Sequence, residues 1–183
     1  KTKLSFTLLI SLIFNFSIQF LSAQNVDEMK FWPQWRGPLG TGAAVNGNPP
    51  VQFGENENLK WKTEIPGKGH ATPIVWGNNI VIQTAVATNQ AVEKNADAED
   101  EGEDQSWMQA SKTDKIHEFK VLLVNRENGQ VKWDKTVAAE LPHESTHDLG
   151  SWASNSPCTD GEMIYAYFGS RGLYCLDFDG NII

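Results

Sequence analysis

The sequence predicts an all-β chain of short antiparallel strands, and three observations carry that prediction. Its 183 residues include 7 Trp and 9 Phe among 15 Gly and 8 Pro, a mixture of strand-favouring aromatics and turn residues that suits short strands joined by tight turns. A strand–turn–strand pattern occurs twice with the same internal spacing, and each copy is followed by a second strand–turn–strand pattern of its own. With 40% apolar residues, the chain has enough core-forming side chains for one domain of ordinary size.

Taken in order, residues 1–23 stand apart from the fold. Lys1 and Lys3 form a basic start, residues 8–14 an apolar stretch, and Leu21-Ser22-Ala23 a small-residue end. This is the pattern of a secretory signal peptide cleaved after Ala23. The uncharged stretch 4–26 would also suit a membrane anchor, but Ser5, Thr7, Ser11, Asn15, Ser17 and Gln19 make it a poor spanning helix. The expectation is an exported protein, periplasmic or extracellular, with no stable membrane insertion after cleavage. Lys1 and Lys3 are the only charges in residues 1–23, so cleavage takes the formal charge from −8 to −10. An acidic chain whose Lys and Arg form no cluster is a poor partner for phosphate backbones, which excludes nucleic-acid binding.

A Gly- and Pro-rich lead segment fills 24–58, and the repeats occupy 59–183. Leu59-Lys-Trp-Lys-Thr63 reads as a strand without preceding partners. The first copy of the repeat is His70-Ala-Thr-Pro-Ile-Val-Trp-Gly-Asn-Asn-Ile-Val-Ile-Gln-Thr, and the second is Ser154-Asn-Ser-Pro-Cys-Thr-Asp-Gly-Glu-Met-Ile-Tyr-Ala-Tyr-Phe. Pro73 is followed by Gly77 and Ile80, and Pro157 by Gly161 and Ile164, at identical offsets. Gly-Asn-Asn and Asp-Gly-Glu supply the turn chemistry of hairpins. Val121-Leu-Leu-Val-Asn and Asn-Gly-Gln-Val-Lys-Trp133 then match Leu173-Tyr-Cys-Leu-Asp and Asp-Gly-Asn-Ile-Ile183 as third strand, turn and fourth strand. Trp133 follows Gly129 by four positions; the equivalent after Gly180 would be position 184, where the natural protein is expected to carry Trp. The chain is therefore expected to be an N-terminal fragment holding about two four-stranded units, and not to fold stably alone.

Between the second and third strands of the first unit lies an insertion, 88–115. Glu93, Asp97, Glu99, Asp100, Glu101, Glu103 and Asp104 crowd it with charge and leave little apolar surface to offset ordering, so it is expected to be a flexible loop. It lacks the alternating carboxylate spacing that wraps calcium.

The Asn-Gly-Gln-Val-Lys-Trp and Leu-Asp-Phe-Asp-Gly-Asn endings, with the Ser-Pro-x-x-x-Gly hairpin, resemble the tryptophan-docking blades of β-propellers of the pyrroloquinoline-quinone (PQQ) type. Trp32-Pro-Gln-Trp-Arg-Gly-Pro-Leu-Gly-Thr-Gly42 followed by Lys60-Trp-Lys is similar to the opening of PQQ-binding-like β-propeller repeat proteins, relatives of the propeller lipoprotein of outer-membrane β-barrel assembly. The resemblance implies a quinoprotein-like propeller of four-stranded antiparallel blades, with Trp61 and Trp133 as structural docking residues between blades. It is specific for fold and silent about activity, because a propeller carries its function in its loops.

Three groups of residues could carry chemistry. His143-Glu-Ser-Thr-His147 matches the H-E-x-x-H pattern of zinc proteases, but that pattern needs a helix to bring both imidazoles to one ion, and Pro142, Ser145, Thr146 and Gly150 argue against one. His70, His143, Glu144 and His147 could instead converge at the mouth of a central channel as a metal or ligand site; the competing expectation is that they satisfy loop backbone groups. Arg36 and Arg171 are candidate anion-binding residues, with solvated turn positions as the alternative. Quinoprotein dehydrogenases, which share the repeat, hold PQQ with calcium, usually over an adjacent Cys pair. Cys158 and Cys175 fall on non-adjacent strands, too far apart for the usual disulfide, and are expected to be two small buried thiols. The expected function is a non-catalytic exported scaffold, without cofactor, that binds an envelope protein or carbohydrate. The alternative is a PQQ-type oxidoreductase, or another enzyme, with its remaining groups in further blades.

Overall fold

The structure is a computed structural model, and it describes residues 28–44, 46–92, 110–111 and 113–183. The expected signal peptide and the acidic centre of the insertion lie outside the described residues. The fold is all-β: the described residues form three antiparallel sheets, and their helical content is two single 3-10 turns, Glu28–Lys30 and Gly169–Arg171.

The first sheet has four strands in sequence order: β1 (Ile74–Trp76), β2 (Asn79–Ala91), β4 (Lys115–Asn125) and β5 (Val131–Glu140). The two-residue strand β3 (Ala110–Ser111) pairs separately with β6 (Thr146–His147). The third sheet joins β7 (Cys158–Thr159), β8 (Met163–Tyr167) and β9 (Leu173–Asp177), and residues 178–183 return along β9 only as far as a bridge between Leu176 and Ile182.

Local chemistry explains the turns. Gly77, at φ +57°, and Asn78 make the two-residue connection between β1 and β2, a conformation that costs glycine least. Asp160 Oδ1 accepts the amides of Met163 and Glu162 at 2.8 and 2.9 Å, and its Oδ2 accepts the Tyr165 hydroxyl. These bonds, that from Met163 foremost, hold its carboxyl below the ordinary aspartate range, and the same carboxylate pushes Tyr165 up to about 12. Asp177 ties the next turn in the same way, through Asp179 and Asn181.

One buried core draws on both sheets. Ile74, Val81, Phe119, Val121 and Leu123 from the first meet Ile164, Ala166 and Leu176 from the third, with Phe168 just after β8, and the Phe119 and Phe168 rings stand edge to face at 5.6 Å. Alternation along β4 turns Phe119, Val121 and Leu123 toward this core. Leu122 and Val124, on its opposite face, are equally buried, which accounts for the unbroken apolar run that the sequence shows there.

Two expectations change. The first sheet extends into the insertion: β2 and β4 stay paired past Ala87 and His117, shift register, and pair again at Ala91 and Lys115. Residues 59–63, expected to be a strand, pair with no described strand, although Trp61, Thr63 and the following Ile65 are half-buried and alternate with exposed neighbours. The lead segment is tied in by backbone. Trp32 exchanges two hydrogen bonds with Val75 on β1, and the Pro33 carbonyl accepts the Thr159 amide of β7.

Candidate functional site

Two arrangements stand out, one structural and one open to solvent. In the structural one, the turn between β4 and β5 is covered by Trp61, whose indole N–H donates to the Arg126 carbonyl at 2.9 Å, while Thr63 Oγ1 donates to the Gly129 carbonyl. The turn after β9 is covered by Trp133 of β5, whose indole donates to the Phe178 carbonyl at 2.9 Å. Both turns carry a glycine at positive φ, +74° at Gly129 and +86° at Gly180. A Cβ at Gly129 would stand 2.5 Å from the Trp61 ring, and one at Gly180 would stand 3.1 Å from Trp133. Each indole therefore lies flat against a turn that only glycine leaves open.

The open arrangement is a cleft of about 340 Å³ at the insertion end of the first sheet. Its floor is small side chains, Ala85 and Ala87 of β2 with Gly67. Lys68 is brought there because its backbone pairs with Ala85, continuing the line of β1 along β2. His117 of β4 is 5% exposed. Its Nδ1 lies 2.9 Å from the Lys115 carbonyl, so in the neutral ring Nδ1 carries the proton and Nε2 is left as an acceptor. Trp152 meets His117 edge to face, with centroids 4.6 Å apart, and its indole donates to the Glu144 carbonyl at 2.9 Å. His147, Asp148 and Ser151 complete the rim.

A second cleft, of about 200 Å³, shares Thr146, Ser151 and Trp152 with the first and is lined further by Glu144, Ser154, Asn155 and Ser170. Ser154 Oγ donates to the Ser151 carbonyl at 2.6 Å, and Ser170 Oγ to Glu144 Oε2 at 2.8 Å. The Ser170 bond, first among several causes, holds the Glu144 carboxyl below its usual range.

The sequence-derived candidates are placed differently from one another. Residues 143–147 run from a bend into the short strand β6, so no helix presents His143 and His147 on one face. His147 Nδ1 accepts the Leu149 amide, the Glu144 carboxylate is engaged by Ser170, and His143 is exposed. His70 is exposed and tied by its backbone to the Ala153 carbonyl. Among the described residues no group of three or more His, Cys, Asp or Glu is placed to hold a metal ion. Arg171 is an ion-pair residue: its guanidinium, 8% exposed, meets Glu140. Arg36 is exposed, lies over the Trp35 ring at 5.4 Å and reaches toward the Thr41 carbonyl. Cys158 and Cys175 are free thiols on either side of Tyr165; Cys158 is exposed and Cys175 half-buried, so neither is the buried thiol expected. Separated by a whole strand, they cannot supply the adjacent Cys pair of a PQQ site.

His117, Lys68 and Trp152 escaped the sequence reading. A signal for His117 existed: the alternation His117, Phe119, Val121, Leu123 puts the histidine on the inward face of β4. No described helix is long and apolar enough to cross a membrane. Comparison of the chain with protein-family models, with curated proteins and with solved structures finds no match.

Proposed function

We propose that the chain is part of an exported, non-catalytic β-propeller of PQQ-like repeats that presents the connections between its blades to a protein or carbohydrate partner. The observation that carries the reading is the repeated docking of an indole on the glycine turn of the next unit, Trp61 on 126–129 and Trp133 on 178–180. A device used twice in the same sense along the chain suits a ring of like units, in which each sheet is keyed to its neighbour and edges are protected by closure. In such a ring the variable connections are where a partner would bind. The connection 141–157 here bounds both clefts.

The test is elemental mass spectrometry and an ultraviolet–visible spectrum of the purified intact protein, with His143→Ala/His147→Ala as control. The scaffold reading expects neither stoichiometric metal nor quinone. Stoichiometric quinone with calcium would replace it by a PQQ-type oxidoreductase, and a metal lost in the control would make the 143–147 segment a metal site.

A further inference from the structure

Beside the docking tryptophans, Trp152 has a position that packing alone does not explain. It is the wall common to two adjoining clefts, of about 340 and 200 Å³, which together fall in the size range of small-molecule sites, roughly 300–1,000 Å³. Its ring is fixed on one side by His117 and at its nitrogen by the Glu144 carbonyl, so its orientation is set before any ligand arrives.

The polar groups around it suit a polyol. Hydroxyls both donate and accept, and they need a mixed set of partners. The first cleft offers the Lys68 ammonium as donor, with the Thr146 and Ser151 hydroxyls in the same lining. The second offers the Asn155 amide and the hydroxyls of Ser154 and Ser170, held in place by the Ser151 carbonyl and the Glu144 carboxylate. A polyanion is disfavoured, because Asp148 and Glu144 stand in the clefts and the chain carries a formal charge of −8.

We propose that the paired clefts form a binding site for a neutral oligosaccharide of two or more sugar units, one in each cleft, with the part of the Trp152 ring that His117 and the core leave uncovered meeting the apolar C–H surface of the sugars. This rests on the partner-binding reading above and narrows it to carbohydrate.

The experiment is titration calorimetry of the intact protein with a panel of neutral tetrasaccharides (cellotetraose, maltotetraose, laminaritetraose, xylotetraose and chitotetraose), followed by chromatography of the recovered sugar. At least one is expected to bind and to be recovered uncleaved. Trp152→Ala is expected to weaken binding at least tenfold. Because Trp152 also touches the core, the decisive variants are Lys68→Ala and Asn155→Ala, one in each cleft, on exposed side chains; each is expected to weaken binding about fivefold. Absence of binding by every tetrasaccharide overturns the site and leaves the scaffold reading standing. Binding that ignores both Lys68→Ala and Asn155→Ala also overturns it. Binding followed by cleavage upholds the site and removes the non-catalytic reading.

Discussion

The two larger sheets share one repeat and differ in length. The first has strands of 13, 11 and 10 residues, whereas the second has strands of 5 and 5 beside a two-residue first strand. Their common part, residues 74–83 with 121–133 in one and 158–183 in the other, carries most of the shared core and the indole-covered turns. The excess length of the first sheet bears His117 and Ala87, and with them the wall of the larger cleft. In this molecule, repetition builds the scaffold, and the departure from repetition builds the candidate site.

The comparison breaks most sharply at the scaffold. Trp133→Ala removes an indole that is half-buried against the common core and bonded to the Phe178 carbonyl; a loss of about 3 kcal/mol is expected in denaturant unfolding of the intact protein. An unchanged midpoint and slope would mean that the turn holds without its cover. Gly129→Ala comes next, at about 2 kcal/mol, because it adds a clash with Trp61 to the cost of positive φ. Gly169→Ala, also at positive φ (+62°) but with nothing within 4 Å of the added carbon, is expected to cost only about 1 kcal/mol. Equal losses at the two glycines would show that the Trp61 contact contributes nothing.

Smaller effects sharpen the picture. Glu140→Gln leaves the Arg171 guanidinium, 8% exposed and with a buried Nε that lacks an acceptor, without its counter-charge. Glu140 is itself 57% exposed, so solvent screening limits the loss to about 1 kcal/mol. The smallest effect is a pH dependence. Asp177, tied above all by Asn181, has its carboxyl held below the ordinary 3.8. A depressed carboxylate stabilises the fold above its unfolded pKa, and that contribution is lost as pH falls through the folded value. Asp177→Asn is therefore expected to flatten the acid side of the stability profile below about pH 4 and to narrow its gap from the parent as pH drops. A gap that widens with acid would reverse the assignment.

Much of this was legible in the sequence, for physical reasons that differ by region. The offsets from Pro73 to Gly77 and from Pro157 to Gly161 placed both first turns, because positive φ and side-chain-capped turns admit few residues. The run 121–125 placed β4, because a strand buried on both faces needs continuous apolar side chains. The extension of β2 and β4 was hidden: Thr88, Asn89, Gln90 and Lys115 are polar, and their pairing depends on register carried over from the core. The site was hidden further, since His117, Lys68 and Trp152 come from three separated segments that only the folded chain joins. The histidine pattern at 143–147 misled in the other direction, because its spacing has meaning only on a helix.

The claim on which the account depends is that the two sheets are successive members of one ring. Single-particle electron microscopy of the intact protein tests it most directly. The account predicts a closed ring of four-stranded sheets, with Trp61 and Trp133 each lying between one sheet and the next. An open stack, or two sheets of a sandwich with either tryptophan away from its turn, would contradict it.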